Sequence, residues 1–155
     1  MSKDRLVPDY FRAFIRNEKI FLRNPKASRP WQHVLEPLCG YLLLAERLAQ
    51  DPASYSTAWN FGPDLSDVKP VSWIVDRMVS AWGADASWAL EGTSHPHEAS
   101  LLAVDATLAR SRLQWRPRFA LQEGLERTVS WYRQQAAGRP ASELIADDIN
   151  CYMNK

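Results

Sequence analysis

Apolar residues at the start of the chain fall on a helical period. Leu6, Val7, Tyr10, Phe11, Phe14 and Ile15 recur at the spacing of one buried helix face. Asp4 stands where an N-cap is expected, and Pro8 lies in the first turn, where its missing N–H costs nothing. Ile20, Phe21 and Leu22 read as a short strand. From about residue 37 to 50 a second helix is apolar on nearly every side through Tyr41, Leu42, Leu43, Leu44 and Ala45. Such a helix calls for cover on two faces. Residues 58–61 form a strand candidate ended by Gly62 and Pro63. Val71, Ile74, Val75, Met78, Val79 and Trp82 share a helix face closed by Gly83. Strand patterns follow at 87–90 and 101–104, with the polar loop EGTSHPHEAS between them. Asp105 is placed to cap a helix running to about Leu113. Leu121, Leu125, Val129 and Tyr132 mark the next helix, broken at Gly138-Arg139-Pro140. Ser142 is the expected cap of a last helix carrying Leu144, Ile145, Ile149, Tyr152 and Met153. Helices alternating with short strands predict a mixed α and β fold in one unit, residues 1–155.

Bulk properties narrow the functional classes. The chain has 155 residues and a formal net charge of +1, which argues against a partner as polyanionic as nucleic acid. No apolar run approaches the ~20 residues of a membrane span. The opening MSKDRLVPDY has neither an apolar core nor a cleavage-site pattern, so no secretion signal is expected. Cys39 and Cys151 lie far apart and read as free thiols of a reducing cytoplasm.

Several kinds of chemistry lack their residues. The six glycines are scattered, whereas a dinucleotide site needs them clustered where the backbone approaches a pyrophosphate. A P-loop is missing for the same reason. No Tyr-x-x-x-Lys pair, no Gly-x-Ser-x-Gly and no cysteine cluster occurs. What stands out is RNPKASRPWQHVLEP, where strand alternation would set Arg29, Trp31 and His33 on one face. An arginine fork there suits a diphosphate; otherwise Arg29 meets a surface carboxylate and Trp31 is core. His95 and His97 in HPHE would share a strand face, but a zinc site wants a third protein ligand, and His33 is the one further histidine. Of the seven tryptophans, Trp59, Trp73, Trp82, Trp88, Trp115 and Trp131 fall mostly on expected core faces or element ends.

The stretches SKDRLVPD, LRNPKASRPWQHVLEPLCGYLLLAERL, AWNFGP, HPHEASLLAVD, LQWRPR and ERTVSWY follow in this order. Together they resemble the C-terminal part of the CDP-glucose 4,6-dehydratases, a bacterial family of extended short-chain dehydrogenases/reductases. RNP-x-x-x-RPWQHVLEPL-x-GYL is the longest shared pattern, and PHEA favours the CDP-glucose branch. The resemblance covers nearly the whole chain. It implies an α/β fold: the substrate-binding portion of such an enzyme without its N-terminal Rossmann half, with the 34–50 helix packing on the absent sheet. The family reaction oxidises the sugar at C4, removes water across C5 and C6, and returns the hydride to C6, an early step toward surface-polysaccharide (O-antigen) dideoxyhexoses. The NAD motif and Tyr-x-x-x-Lys pair belong to the half not matched here. The resemblance therefore implies no catalytic residue, no metal and no NAD bound by this chain alone, and at most CDP-sugar binding.

By the same resemblance Arg5, Leu6 and Pro8 line the nucleotide, Arg29 approaches the diphosphate, and His97 and Glu98 sit on the nucleotide side. Ser100 and Leu101 depart from the larger groups of relatives. The implied partners are a CDP-sugar, a separately encoded Rossmann half, and further copies of the chain held through exposed apolar surface, in the cytoplasm. A rival reading is a non-catalytic remnant or interaction fragment. A third, far behind, is a metal enzyme using His33, His95, His97 and Glu98.

Overall fold

The computed structural model describes residues 5–83, 86–92 and 100–155. Its helices are α1 (Leu6–Ile15), α2 (Leu35–Gln50), α3 (Pro52–Tyr55), α4 (Val71–Trp82), α5 (Thr107–Arg112), α6 (Leu121–Ala136) and α7 (Ala141–Met153). Four three-residue strands accompany them: β1 (Ile20–Leu22), β2 (Ser28–Pro30), β3 (Val68–Pro70) and β4 (Trp88–Leu90). β1 pairs in parallel with β4, and β2 antiparallel with β3.

The larger core forms where three amphipathic helices turn their apolar faces together. Phe11 and Phe14 of α1, Ile74, Val75 and Met78 of α4, and Leu121, Leu125 and Val129 of α6 are buried in one cluster. Phe11 stacks on Tyr132 with ring centres 4.1 Å apart, and Trp82 packs against both phenylalanines. α4 ends at Gly83, whose φ of +122° suits a residue without a Cβ. A smaller core joins Phe61, Ala106, Ala109, Leu113 and Trp115 to Leu43, Leu44, Tyr55 and Trp59. Here Gly40 lets Phe61 lie on α2: a Cβ at Gly40 would stand 2.3 Å from the ring.

Glu36 ties α2 to the end of the chain. It is fully buried. Oε1 accepts the Phe119 N–H at 2.9 Å, and Oε2 accepts the Arg118 N–H at 3.0 Å and the Tyr152 hydroxyl at 2.7 Å. Its carbonyl accepts the Trp115 indole N–H at 3.2 Å. A carboxylate shut away from water is tolerable when its lone pairs are used in this way.

The structure corrects several sequence expectations. Residues 58–61 are not a strand; the Phe61 carbonyl accepts the Gln32 side-chain amide instead. Of 101–104 only an isolated bridge remains, Leu101 to Ser28. α2 begins at Leu35, so Pro37 lies within its first turn. α5 has Ala106 at its cap position, while the Asp105 carboxylate still accepts the Thr107 N–H at 2.8 Å. Ser142 falls inside α7, which starts after Pro140. At α1 the N-cap is Arg5, whose N–H is accepted by the Asp9 carboxylate at 2.8 Å; Asp4 lies outside the described residues. No helix of the described residues is long and apolar enough to cross a membrane.

Candidate functional site

The β2–β3 pair carries the charge expected of an anion site. Arg29 is the middle residue of β2 and lies opposite Lys69, the middle residue of β3. Directly opposed residues of an antiparallel pair project to the same face, so two cationic side chains rise side by side. Arg29 Nη1 donates to the Ser28 carbonyl at 3.0 Å. The Lys69 ammonium lies 5.9 Å from the centre of the Trp73 ring, and the Arg77 guanidinium 5.3 Å from the same ring.

Beside this strip opens a cavity of about 750 Å³, walled by α1, the start of α2, α6 and α7. Val7, Pro8, Leu38, Leu125, Ile145 and Ile149 give it an apolar lining, and Gln32, His33, Thr128 and Asp148 add polar groups. Trp31 borders both places: it lines the cavity, and its indole N–H donates to the Lys69 carbonyl at 3.2 Å. Burial holds the His33 pKa below the ordinary histidine value, opposed by the charges of Asp148 and Glu36. Burial raises the Asp148 pKa, opposed by His33 and by Arg127, whose guanidinium is 4.0 Å away. The Gln32 amide donates to the Phe61 carbonyl at 2.9 Å.

Outward from the cavity, Val34 at the N-cap of α2 and Leu38, Tyr41 and Leu42 within the helix are exposed, Leu42 at 74 % of its surface. These positions follow helical spacing, so they form one uncovered apolar face.

The sequence-predicted residues do not converge on a single point. Pro8 lines the cavity; Leu6 packs partly buried against the larger core, and Arg5 is exposed at the start of α1. Arg29 belongs to the strip and not to the cavity lining. Arg29, Trp31 and His33 do not share an extended face. The chain turns at Pro30, where the Trp31 N–H bonds the Arg29 carbonyl at 3.0 Å, and alternation stops there. His33 is carried to the cavity, buried against Phe119. His95, His97 and Glu98 lie outside the described residues. Among the described residues no group of three or more His, Cys, Asp or Glu is placed to hold a metal ion. The glycines occupy separate elements and connections, so the residues present do not form the phosphate cradle that NAD requires. Sequence reading missed Lys69, whose meaning depends on a strand pairing made across 40 positions, and Glu36, whose donors come from the far end of the chain.

No family model matches the chain. Along its sequence it is 47% identical over 153 residues to CDP-glucose 4,6-dehydratase of Salmonella typhimurium, a match covering 99% of this chain and 43% of that protein. The chain thus spans less than half the length of the curated relative it matches. Its fold matches a UDP-glucose 4-epimerase with a TM-score of 0.74 at 18% identity, over 89% of this chain and 43% of the other. A UDP-glucose 4-epimerase of Thermotoga maritima, solved with UDP-glucose, matches at a TM-score of 0.68 and 18% identity, over 86% and 41%. A dTDP-glucose 4,6-dehydratase of Bacillus anthracis, solved with NAD, matches at 0.63 and 17% identity, over 87% and 41%. From end to end, then, the chain is similar to the C-terminal part of CDP-glucose 4,6-dehydratase, on the fold shared by sugar-nucleotide epimerases and dehydratases.

Proposed function

We propose that this chain is the sugar-nucleotide-binding part of a CDP-glucose 4,6-dehydratase and holds a CDP-sugar without performing the hydride chemistry itself. The observation that carries the reading is the 47% identity to that enzyme over 99% of the chain. Arg29 is the diphosphate ligand in this reading, and Arg5, Leu6, Pro8, His97 and Glu98 lie along the nucleotide. The Gly-rich NAD loop and the Tyr-x-x-x-Lys pair come from a separately supplied Rossmann half. That half covers the apolar face of α2, consistent with the solvent exposure of Val34, Leu38, Tyr41 and Leu42. Without it the same face drives self-association.

Calorimetry with CDP tests the reading. A charge-assisted hydrogen bond contributes about 1.5–3 kcal/mol, so Arg29→Ala should weaken CDP binding by roughly 10- to 150-fold. Mixing the chain with a protein carrying the NAD half should yield dehydration of CDP-glucose. If the chain binds no CDP and no such mixture is active, the chain is a non-catalytic interaction fragment and the proposal fails.

A further inference from the structure

Helices α2 and α7, which meet where the Tyr152 hydroxyl donates to Glu36, leave apolar residues around one hollow. Val34 at the N-cap of α2, Leu38 within it, and Ile145 and Ile149 of α7 all line the cavity of about 750 Å³, yet each is between 43 % and 63 % exposed. Leu42 continues the first row by one turn and Met153 the second, and both stand in solvent. Residues four apart share a helix face, so each row runs as a ridge along its helix, with the cavity between the two. The polar groups of the cavity are already engaged. The Thr128 hydroxyl donates to the Gly124 carbonyl at 2.7 Å, His33 Nδ1 accepts the Leu35 N–H at 3.4 Å, and Asp148 lies 4.0 Å from the Arg127 guanidinium. Gln32 Oε1 has no partner among the described residues, but it is closed off from solvent. An entering polar group would therefore lose its water for little return, whereas apolar surface gains by burial there.

We propose that the groove between α2 and α7 seats an apolar helix of the Rossmann half, so that α7 belongs with α2 to the docking surface. This inference rests on the reading of the chain as part of a dehydratase, more than half of whose relative lies outside the match. Two rows of apolar residues, four apart and set on either side of a recess, suit an amphipathic helix that fills the recess with its own side chains one turn apart. A second copy of this chain does not supply that shape. A two-fold contact sets the same patch against itself, recess against recess. The association expected of the isolated chain thus covers the ridges and leaves the hollow empty, and an empty apolar hollow forfeits the contacts its lining would make.

Anilinonaphthalene sulfonate, a dye that binds exposed apolar surface, tests the seat in two proteins: the full chain, and the full chain joined behind the unmatched remainder of the Salmonella typhimurium enzyme. The chain alone should bind the dye. Ile145→Gln/Ile149→Gln should weaken that binding by roughly tenfold while moving the melting temperature by no more than about 2 °C. In the joined protein dye binding should be lost, and the same double substitution should lower melting well beyond that shift. A merely structural α7 would lower melting equally in both proteins. Dye binding by the chain alone that the double substitution leaves unchanged overturns the proposal, whatever the joined protein does. Dye displaced from the chain alone as it is concentrated marks a second copy in the hollow and also overturns it. A joined protein that binds CDP but takes up the dye as strongly as the chain alone overturns the seat and leaves the sugar-nucleotide reading intact. Dye excluded with no CDP bound supports the seat and overturns the nucleotide reading.

Discussion

A histidine whose folded pKa lies below its ordinary value is protonated first in the unfolded chain. For His33 burial sets that direction, so its contribution turns unfavourable as the pH falls through about 6.5. The slope approaches at most ~1.4 kcal/mol per pH unit for one proton. Asp148, whose pKa burial raises, acts in the opposite sense: its contribution is present below about 3.9 and is lost as the pH rises through its folded value. Thermal melts from about pH 7.5 to 5 should therefore show wild-type stability dropping, and His33→Gln should flatten that drop. Equal slopes in the two proteins would remove His33 from the account. Glu36 is a second residue whose surroundings fix its part. Glu36→Gln sets an amide N–H₂ among donors that need an acceptor. We expect a loss of about 2–3 kcal/mol, read as a melting temperature lower by roughly 4–12 °C for a chain of this size. Neither role was legible in the sequence, where Glu36 was only the residue ahead of a proline and His33 a neighbour of Arg29. Both depend on residues distant in sequence: Glu36 on the Tyr152 hydroxyl of α7, and His33 on burial against Phe119.

At the scale of elements, the helices were the legible part. α1, α4 and α6 repeat apolar residues over several turns, and that repetition is a local property which packing had only to accept. The strands divide. β1 and β4 were readable as apolar runs between polar flanks. β2 and β3 were not, since Ser28-Arg29-Pro30 and Val68-Lys69-Pro70 are no apolar runs and each ends in proline. Residues 58–61 had a strand's composition but pair with no strand among the described residues; a strand is a property of two segments, and one segment's sequence reports half of it. The α2 helix shows packing reversing a local preference. At an open helical site Gly→Ala gains about 1 kcal/mol. At Gly40 the new methyl would collide with the buried ring of Phe61, which Tyr41 and Trp115 hold edge-on. Overpacking of this kind costs about 1–3 kcal/mol. Gly40→Ala should thus lower stability in denaturant melts; a gain would mean that the Phe61 ring moves aside freely.

For the whole molecule, the exposed apolar residues of α2 are the feature that bears on behaviour in solution. Leu38 and Leu42 stand exposed on α2, with Val34 just ahead of it and Tyr41 half turned to Phe61, while Phe61 lies on Gly40 and Trp115 bonds the Glu36 carbonyl. Burying such surface gains about 25 cal/mol per Å², which favours association when no partner is supplied. Light scattering should find the isolated chain larger than a monomer, with Leu38→Glu/Leu42→Glu returning it to monomer size. A wild-type monomer at high concentration would contradict this. The sequence had signalled the need for cover, because an apolar run through residues 41–45 exceeds what one face can hide. It could not say which side would be left open, since that depends on where Phe61 and Trp115, distant in sequence, meet α2.

The Glu36 cluster also bears on the order of synthesis. The carboxylate leaves the ribosome well before its partners at 118, 119 and 152 are translated. Until the final turn of α7 has been made, the amino end of α2 has no complete seat, and the nascent protein must keep that acid hydrated. Messages cut between codons 119 and 152 would release a product whose acceptor is one donor short, and quality-control proteases should clear it sooner than the finished chain.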